Sequence, residues 1–167
     1  SFGSTLIVPG EYPNIKAAIT NAQDGDSIRV SSGTYYGWDN TNLNFYGKAL
    51  TLYSESGSGS TTIDCQDYEN RRGFEIISGE DENTIIDGFR IYNCKTDQYG
   101  GNVYIENSSP TFKNCKIESG SSRYRGDGVA IKGTSNPTFD NVDFYYNGSN
   151  WDNSTSNNRG GAVYIEY

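Results

Sequence analysis

Short segments in which apolar and polar residues alternate recur along most of the chain. A Val-x-Ile triplet occurs at 103–105, 129–131 and 163–165, and Phe74-Glu75-Ile76 precedes these with the same alternation. A period of two is typical of a half-buried β-strand, whose successive side chains point to opposite faces of a sheet. Each triplet therefore predicts a short strand, and steps of 29, 26 and 34 residues separate the four.

Two further sets of apolar positions recur between the triplets. The segments TTIDC, TIIDG, PTFKN and PTFDN align Ile63, Ile86, Phe112 and Phe139 as a second row. In a third row the apolar positions come in pairs, which are Phe89 and Ile91, Cys115 and Ile117, and Val142 and Phe144. Strands that recur at this interval, with no room for a helix between them, predict a solenoid whose turns stack in parallel about 4.8 Å apart.

A β-sandwich is the alternative fold, because short strands joined by glycine-rich turns fit it too. It does not account for the same inward positions recurring in three separate rows. The bends favour the solenoid as well: Gly88, Asn114 and Asn141 occupy one place between the second and third rows. Gly and Asn reach a left-handed backbone most easily, and we expect stacked Asn side chains there to hydrogen-bond along the stack.

The first 26 residues follow a different pattern. TLIVPG predicts a strand that ends in a turn, and a helix is predicted over 14–23 with Asn14 as its N-cap. The apolar face of this helix consists of Ile15, Ala18, Ile19 and Ala22. We expect the helix to cover the interior and the unpaired strand edge of the first coil, with residues 27–167 forming the coils.

The last eight residues, GGAVYIEY, align with the first strand of a coil. We expect residues 1–167 to be a single β-helix domain truncated from a longer one, so that the natural protein continues past Tyr167. The alternative is that a partner chain covers the last strand, whose Val163 and Ile165 face inward. Self-association end to end would follow, since an unpaired strand is a template for another.

Composition and charge narrow the function classes. A net charge of −8 disfavours nucleic acid and anionic membranes as partners, and no stretch is apolar for long enough to insert into a membrane. Abundant Asn, Ser, Thr and Tyr with few Lys suit an extracellular or cell-surface protein. Cys65, Cys94 and Cys115 are odd in number and include no CxxC pair, so we interpret them as small core residues.

Two parts of the sequence resemble segments of a known protein superfamily. The run VPGEYPNIKAAITNAQDGDSIRVSSGTYYG, with LNFYGKALTLYSESGSGSTTIDC after it, resembles the N-terminal region of pectate-lyase-like proteins. The later GGNVYIENSSPTFKNCKI resembles their repeat. The resemblance implies an all-β fold, a right-handed parallel β-helix of about five or six coils with an N-terminal capping helix. It does not imply one activity, because that superfamily spans lyases, hydrolases, esterases and adhesins.

The enzymes of this superfamily imply residues that can be sought here. Polygalacturonases use a Gly-His-Gly motif, and the chain has no histidine. Pectin methylesterases use a Gln-Asp motif whose flanking pattern is missing here. Pectate lyases hold Ca²⁺ with carboxylates and use an Arg or Lys as base. Asp64 and Asp87, which align in the second row, are weak calcium candidates, and Arg123 or Arg125 would be the base. The acidic run at 79–83 is interpreted as a solvated turn.

The long loops before the Val-x-Ile strands carry the candidate binding residues. Because the coils stack, the loops at 65–73, 94–101, 118–128 and 145–161 must emerge on one edge. Aromatic rings stack on sugars, and Arg binds hydroxyls or carboxylates; the resemblance implies a polysaccharide groove beside such an edge. The glycan-contact candidates are Tyr68, Arg71, Arg72, Tyr99, Arg123, Tyr124, Arg125, Trp151 and Arg159. Tyr35, Tyr36 and Trp38 lie in another loop and are weaker candidates for glycan contact.

Surface loops of a Tyr-rich chain also collect such residues without any function, and this alternative stays open. The leading expectation is an extracellular, non-catalytic module, structural or adhesive, that contacts glycans through the loop edge and needs no cofactor. The alternative function is a polysaccharide lyase-type enzyme that acts on uronate-containing glycans with Ca²⁺.

Overall fold

A computed structural model describes residues 3–148 and 161–167. Within these residues the chain forms one α-helix and 17 short β-strands. The elements are β1 (Thr5–Val8), α1 (Ile15–Asn21), β2 (Ser27–Val30), β3 (Gly33–Tyr36), β4 (Thr51–Ser54), β5 (Thr61–Asp64), β6 (Phe74–Ile76), β7 (Ile85–Asp87), β8 (Arg90–Tyr92), β9 (Lys95–Thr96), β10 (Val103–Glu106), β11 (Thr111–Lys113), β12 (Lys116–Glu118), β13 (Ser121–Ser122), β14 (Val129–Lys132), β15 (Thr138–Asp140), β16 (Asp143–Tyr145) and β17 (Val163–Glu166).

The strands stack as a parallel β-solenoid with three main sheets. Sheet A has the order β1-β2-β4-β7-β11-β15, sheet B the order β16-β12-β8-β5-β3, and sheet C the order β17-β14-β10-β6. Strands β9 and β13 form a fourth, two-stranded sheet. Every pairing between these strands is parallel. Each turn of the chain therefore hydrogen-bonds to the turn before it, as the repeat predicted.

The solenoid has about four turns rather than the five or six expected. Four stretches, 43–64, 74–92, 103–118 and 129–145, contribute to sheets C, A and B in succession, the first through a bridge from Leu43 to Phe74. The N-terminal windings lack a strand of sheet C, so they are not complete turns. Strands β1, β2 and β3 precede any strand of sheet C, and helix α1 lies between the first two of them in sequence.

The register of the three rows is largely as predicted. Val103 pairs with Phe74 and Val129 in sheet C, and Phe112 lies between Ile86 and Phe139 in sheet A. Ile117 of sheet B lies between Ile91 and Phe144. The inward rings of sheet A stack closely, with centroids 5.5 Å apart between Phe112 and Phe139.

The placement of the segment TTIDC in the second row was wrong. Thr61–Asp64 belongs to sheet B, where Ile63 pairs with Ile91, and Leu52 of β4 takes the place beside Ile86 in sheet A. TTID and TIID have the same alternation of inward and outward residues. The alternation predicts a strand but not its sheet, which depends on the strand that lies beside it.

The bend between sheets A and B contains the expected asparagine ladder. Gly88, Asn114 and Asn141 have φ angles of 79°, 51° and 54°, in the left-handed region. Asn141 Nδ2 donates to Asn114 Oδ1, and Asn114 Nδ2 donates to Asp87 Oδ1, both at 2.8 Å. The ladder satisfies side-chain polar groups from turn to turn and holds consecutive bends in line.

The acidic run at 79–83 is exposed as predicted, except at Glu80, where the prediction was wrong. Its side chain is buried, and its carboxylate accepts hydrogen bonds from Gly47 N–H at 3.0 Å, Ser78 N–H at 2.8 Å and Ser108 Oγ at 3.0 Å. These donors come from three successive turns, so one carboxylate fastens them together. Gly47 has a φ of 74°, and a Cβ atom there would lie 2.9 Å from the carbonyl oxygen of Ser78.

Helix α1 forms where it was predicted, and its apolar face is buried. Asn14 caps it by accepting a hydrogen bond from Ala17 N–H at 2.7 Å. Ile15, Ala18 and Ile19 are buried, and the helix packs against β1 and β2. In the described part of the chain no helix has the length and apolar character needed to cross a membrane.

The interpretation of all three cysteines as free core residues was wrong for two of them. Cys65 and Cys94 form a disulfide whose Cα atoms are 4.7 Å apart, and only Cys115 is a free, buried thiol. The cysteines follow β5 and β8, which are neighbours in sheet B. Alignment of TTIDC with TIIDG puts Cys65 in line with Gly88, so the pairing with Cys94 was not predicted.

Thiol titration checks this assignment. Burial raises the pKa of the Cys115 thiol to about 11, so thiolate is scarce and inaccessible at mildly alkaline pH. We expect the native protein to resist Ellman's reagent, one thiol to react in concentrated urea, and three to react after reduction and unfolding. Three reactive thiols without reduction would contradict the cross-link.

The disulfide is expected to stabilise the fold substantially. It closes a segment with a sequence separation of 29 residues, for which loop-closure entropy predicts about 3–4 kcal/mol. The double variant Cys65→Ser/Cys94→Ser should lose about that much free energy of unfolding in urea titrations. Cys115→Ala is the comparison, since it removes one buried sulfur and no cross-link and should cost only about 1 kcal/mol. Equal losses in the two proteins would refute the entropic contribution.

Candidate functional site

The loops that lead from sheet B to sheet C stack on one edge, as predicted. Strands β9 and β13 pair within two of these loops. Gly100 N–H donates to the Arg125 carbonyl at 3.1 Å, and Gly101 N–H to the Gly126 carbonyl at 3.0 Å. The backbone of one loop thus supports the next, which fixes the position of each loop along the solenoid axis. Trp151 and Arg159 lie outside the described residues.

At one end of this edge, Arg71 lies against two aromatic rings. Its guanidinium carbon is 4.8 Å from the centroid of Trp38 and 4.4 Å from that of Tyr68. Trp38 and Tyr68 are 56% and 57% exposed. Arg71 Nε is buried without a hydrogen-bond partner in the described part of the chain. Cation–π contact therefore holds the guanidinium in place and leaves much of each aromatic side chain in contact with solvent.

Arg72, although adjacent, has a structural role. Its side chain is buried; Nε donates to the Gly100 carbonyl at 2.9 Å, and Nη2 donates to the Tyr99 carbonyl at 2.8 Å. Nη1 pairs with Glu75 at 3.3 Å. Burial lowers the pKa of Arg72, but these contacts suit a charged guanidinium. The sequence predicted a glycan contact here, whereas the structure shows a clamp on the loop that carries Tyr99.

Further along the edge, Tyr99 is surrounded by aromatic and cationic groups. Its ring centroid is 5.2 Å from that of Tyr124 and 5.9 Å from that of Tyr164, and the second pair is stacked. Arg125 covers the Tyr164 ring at 5.0 Å and donates from Nη1 to its hydroxyl at 2.9 Å. Lys132 Nζ is 4.4 Å from the Tyr99 centroid. Hydrogen bonding to Glu166 raises the pKa of Lys132, which therefore stays charged.

Both clusters lie on the loop edge, and together we call them the aromatic strip. It consists of Trp38, Tyr68, Arg71, Tyr99, Tyr124, Arg125 and Tyr164. Arg72 joins its two halves through the Tyr99 carbonyl. Arg123 is exposed beside the strip, and its backbone N–H donates to the Thr96 carbonyl at 3.0 Å.

Sequence reasoning found part of the strip and missed the rest. Tyr68, Arg71, Tyr99, Tyr124 and Arg125 were predicted from their loops. Trp38 was given little weight because its loop is distant in sequence. Tyr164 was missed, and so was Tyr104, which lies outside the strip with its ring centroid 5.3 Å from the Arg72 guanidinium carbon. Both occupy the outward position of a Val-x-Ile triplet, so the alternation that identified the strands was the available signal.

The structure does not bring the two calcium candidates together. Asp64 ends β5 in sheet B, and Asp87 ends β7 in sheet A. Asp64 Oδ1 accepts from Gln66 N–H at 2.8 Å, and Asp87 Oδ1 accepts from the asparagine ladder. Among the described residues no group of three His, Cys, Asp or Glu side chains is arranged to hold a metal ion.

Comparison of the chain with protein-family models, curated protein sequences and solved structures found no match. The parallel solenoid is consistent with the fold that the resemblance implied.

Loss of the Arg72 clamp is expected to destabilise the loop edge. Arg72→Gln leaves buried carbonyls without donors, at a cost of roughly 1–3 kcal/mol. Urea unfolding should show this loss, and amide hydrogen exchange at Gly100 and Gly101 should accelerate. Arg123→Gln is the matched control, because an exposed side chain should change stability by less than about 0.5 kcal/mol. Unchanged stability and exchange in Arg72→Gln would rule out the clamp.

Proposed function

We propose that this chain is an extracellular, non-catalytic β-solenoid, structural or adhesive in role, that contacts glycans through the aromatic strip. The observation that carries the proposal is the group of Trp38, Arg71 and Tyr68. Exposed aromatic rings stack on the apolar faces of sugars. A guanidinium that is held in place and makes no ion pair among the described residues suits a carboxylate or hydroxyl of the ligand.

Two observations support the extracellular part of the proposal. The disulfide between Cys65 and Cys94 is of a kind that persists in oxidising environments and is rare in reducing ones. The rigid polar ladders and the net charge of −8 suit a protein that stays soluble and folded outside a cell. Arg71 and Arg125 on the strip and Arg123 beside it supply positive charge in spite of that net charge.

We further propose that the solenoid is right-handed and related to the pectate-lyase-like superfamily. The handedness follows the strong preference of parallel strand crossovers for the right-handed connection. The relationship rests on the resemblance of the N-terminal run and of the repeat. The lyase alternative has no comparable support, since Asp64 and Asp87 lie in different sheets and Arg125 binds Tyr164.

Binding of a defined oligosaccharide tests the proposal. We expect oligogalacturonate, a chain of uronate sugars, to bind the wild-type protein and to alter tryptophan fluorescence through Trp38. Arg71→Gln and Tyr68→Ala should each weaken binding about tenfold, because each removes one charged or stacking contact. Isothermal titration calorimetry measures the change. Tyr53→Ala is the control, since Tyr53 faces outward from sheet A, away from the strip.

The same samples test the absence of catalysis. Oligogalacturonate incubated with the protein and Ca²⁺ should accumulate no unsaturated product that absorbs in the ultraviolet. Product that forms with the wild type and disappears with Arg123→Gln or Arg125→Gln would overturn the non-catalytic proposal in favour of a lyase. No binding of oligogalacturonate, or equal binding by wild type and Arg71→Gln, would overturn the contact surface.

A further inference from the structure

The outer face of sheet B carries a regular column of tyrosines and carboxylates. Through the parallel register, each member lies beside the next on the neighbouring strand. From β3 to β16 the column reads Tyr36, Asp64, Tyr92, Glu118 and Tyr145. The residue before each of these points into the solenoid, as Ile91 and Ile117 do. The column therefore faces outward and runs along the solenoid axis.

The ends of the column present aromatic side chains to solvent. Tyr36 is 58% exposed and Tyr145 is 43% exposed, and the adjacent Tyr146 is 86% exposed. Neighbouring parallel strands lie about 4.8 Å apart, so tyrosines on alternate strands are about 10 Å apart along the axis. That interval is commensurate with two sugar rings of an extended chain. Tyr36 and Tyr145 can therefore meet separate sugar rings of one extended ligand, while the Tyr92 ring between them is covered by Arg90.

The centre of the column is polar and rigid. Arg90 donates from Nε and Nη2 to the two carboxylate oxygens of Glu118, both at 2.8 Å, and its guanidinium carbon lies 4.0 Å from the Tyr92 centroid. The pair is partly exposed. A fixed, partly exposed ion pair offers donors and acceptors to hydroxyl groups with little loss of side-chain entropy on binding.

The face is close to charge balance and bordered by hollows. Arg90 and Lys116 offset two of the three carboxylates of Asp64, Glu118 and Asp143. On the two sides of Tyr146 lie hollows of about 410 Å³ and 490 Å³. The first is lined by Ser58, Gly59, Arg90, Lys116, Glu118 and Tyr145, and the second by Asp67, Asn93, Lys95, Ser119, Ser121 and Gly148.

Tyr146 has a backbone conformation that a bulky side chain rarely adopts. Its φ angle is 48°, and the equivalent bends of the two preceding turns have Asn93 and Ser119 at 57° and 53°. Asn and Ser are small polar residues suited to such a bend, whereas an aromatic residue is uncommon there. The ring is nevertheless placed in solvent between two hollows, which favours a contact role over a packing role.

We propose that the outer face of sheet B is a second binding surface, for an extended neutral polysaccharide that lies along the solenoid axis. Tyr36, Tyr145 and Tyr146 stack on its sugar rings, and the Arg90–Glu118 pair binds its hydroxyls. Because this face is close to charge balance, it offers a polyanion little attraction, which favours a neutral chain. This surface has no residue in common with the aromatic strip, and the proposal does not rest on the strip's proposed function.

Three β-1,4-linked hexasaccharides, cellohexaose, xylohexaose and mannohexaose, serve as extended neutral probes in calorimetric titrations of the whole chain. We expect at least one to bind. Tyr145→Ala and Tyr146→Ala should each weaken that binding about 3- to 10-fold, the range of one stacking contact. Tyr145→Phe keeps the ring and should bind within about twofold of the wild type. Circular dichroism confirms that each variant is folded.

Two matched variants separate this surface from others. Tyr53→Ala on sheet A and Tyr68→Ala on the aromatic strip should leave hexasaccharide binding unchanged. Maltohexaose, whose α-linkages favour a curved chain, should bind more weakly than the extended probes. The proposal is overturned if none of the three probes binds, if maltohexaose binds as tightly, or if Tyr68→Ala weakens binding as much as Tyr145→Ala. The last result would move the ligand to the strip.

Discussion

Parallel hydrogen bonding between one turn and the next is the constraint on which this whole structure depends. A strand of three or four residues cannot bury a core alone, and each turn of the solenoid becomes stable only against its neighbours. The register must be kept in three sheets at once, because a slip of one residue would turn every inward side chain to solvent. Ile117 illustrates the result, lying between Ile91 and Phe144 and wholly buried.

Polar contacts between turns reinforce that register. The Asn114–Asn141 ladder aligns the bends, Glu80 joins three turns through its carboxylate, and the disulfide links two turns covalently. An unpaired buried carboxylate is costly, so Glu80 favours only arrangements in which all its donors are present. A thin apolar interior, with few large side chains in each turn, benefits from such specific contacts, since misaligned turns would leave these polar groups unpaired.

The same register shapes the surface. Equivalent positions stack along the axis, so outward residues of successive turns form rows parallel to it. Examples are the column that starts at Tyr36 and the edge that includes Tyr99 and Tyr124. The position of each loop along the axis is set by hydrogen bonds to the neighbouring loop, such as the one from Gly100 N–H to the Arg125 carbonyl. Side chains distant in sequence therefore lie at regular intervals along a rigid support. A linear polymer is the kind of ligand that such a support can follow, and both proposed surfaces draw on this geometry.

The sequence by itself determined the class of fold, the positions of most strands, the capped helix and the left-handed bends. These features depend on local alternation and on residues such as Asn114, whose preferences act within a few neighbouring positions. Only the tertiary structure decided which sheet Thr61–Asp64 joins, that Cys65 meets Cys94, and that Arg72 is buried while Arg71 contacts Trp38. Those outcomes depend on which strand lies beside which, and alternation with the same period cannot distinguish one sheet of a solenoid from another.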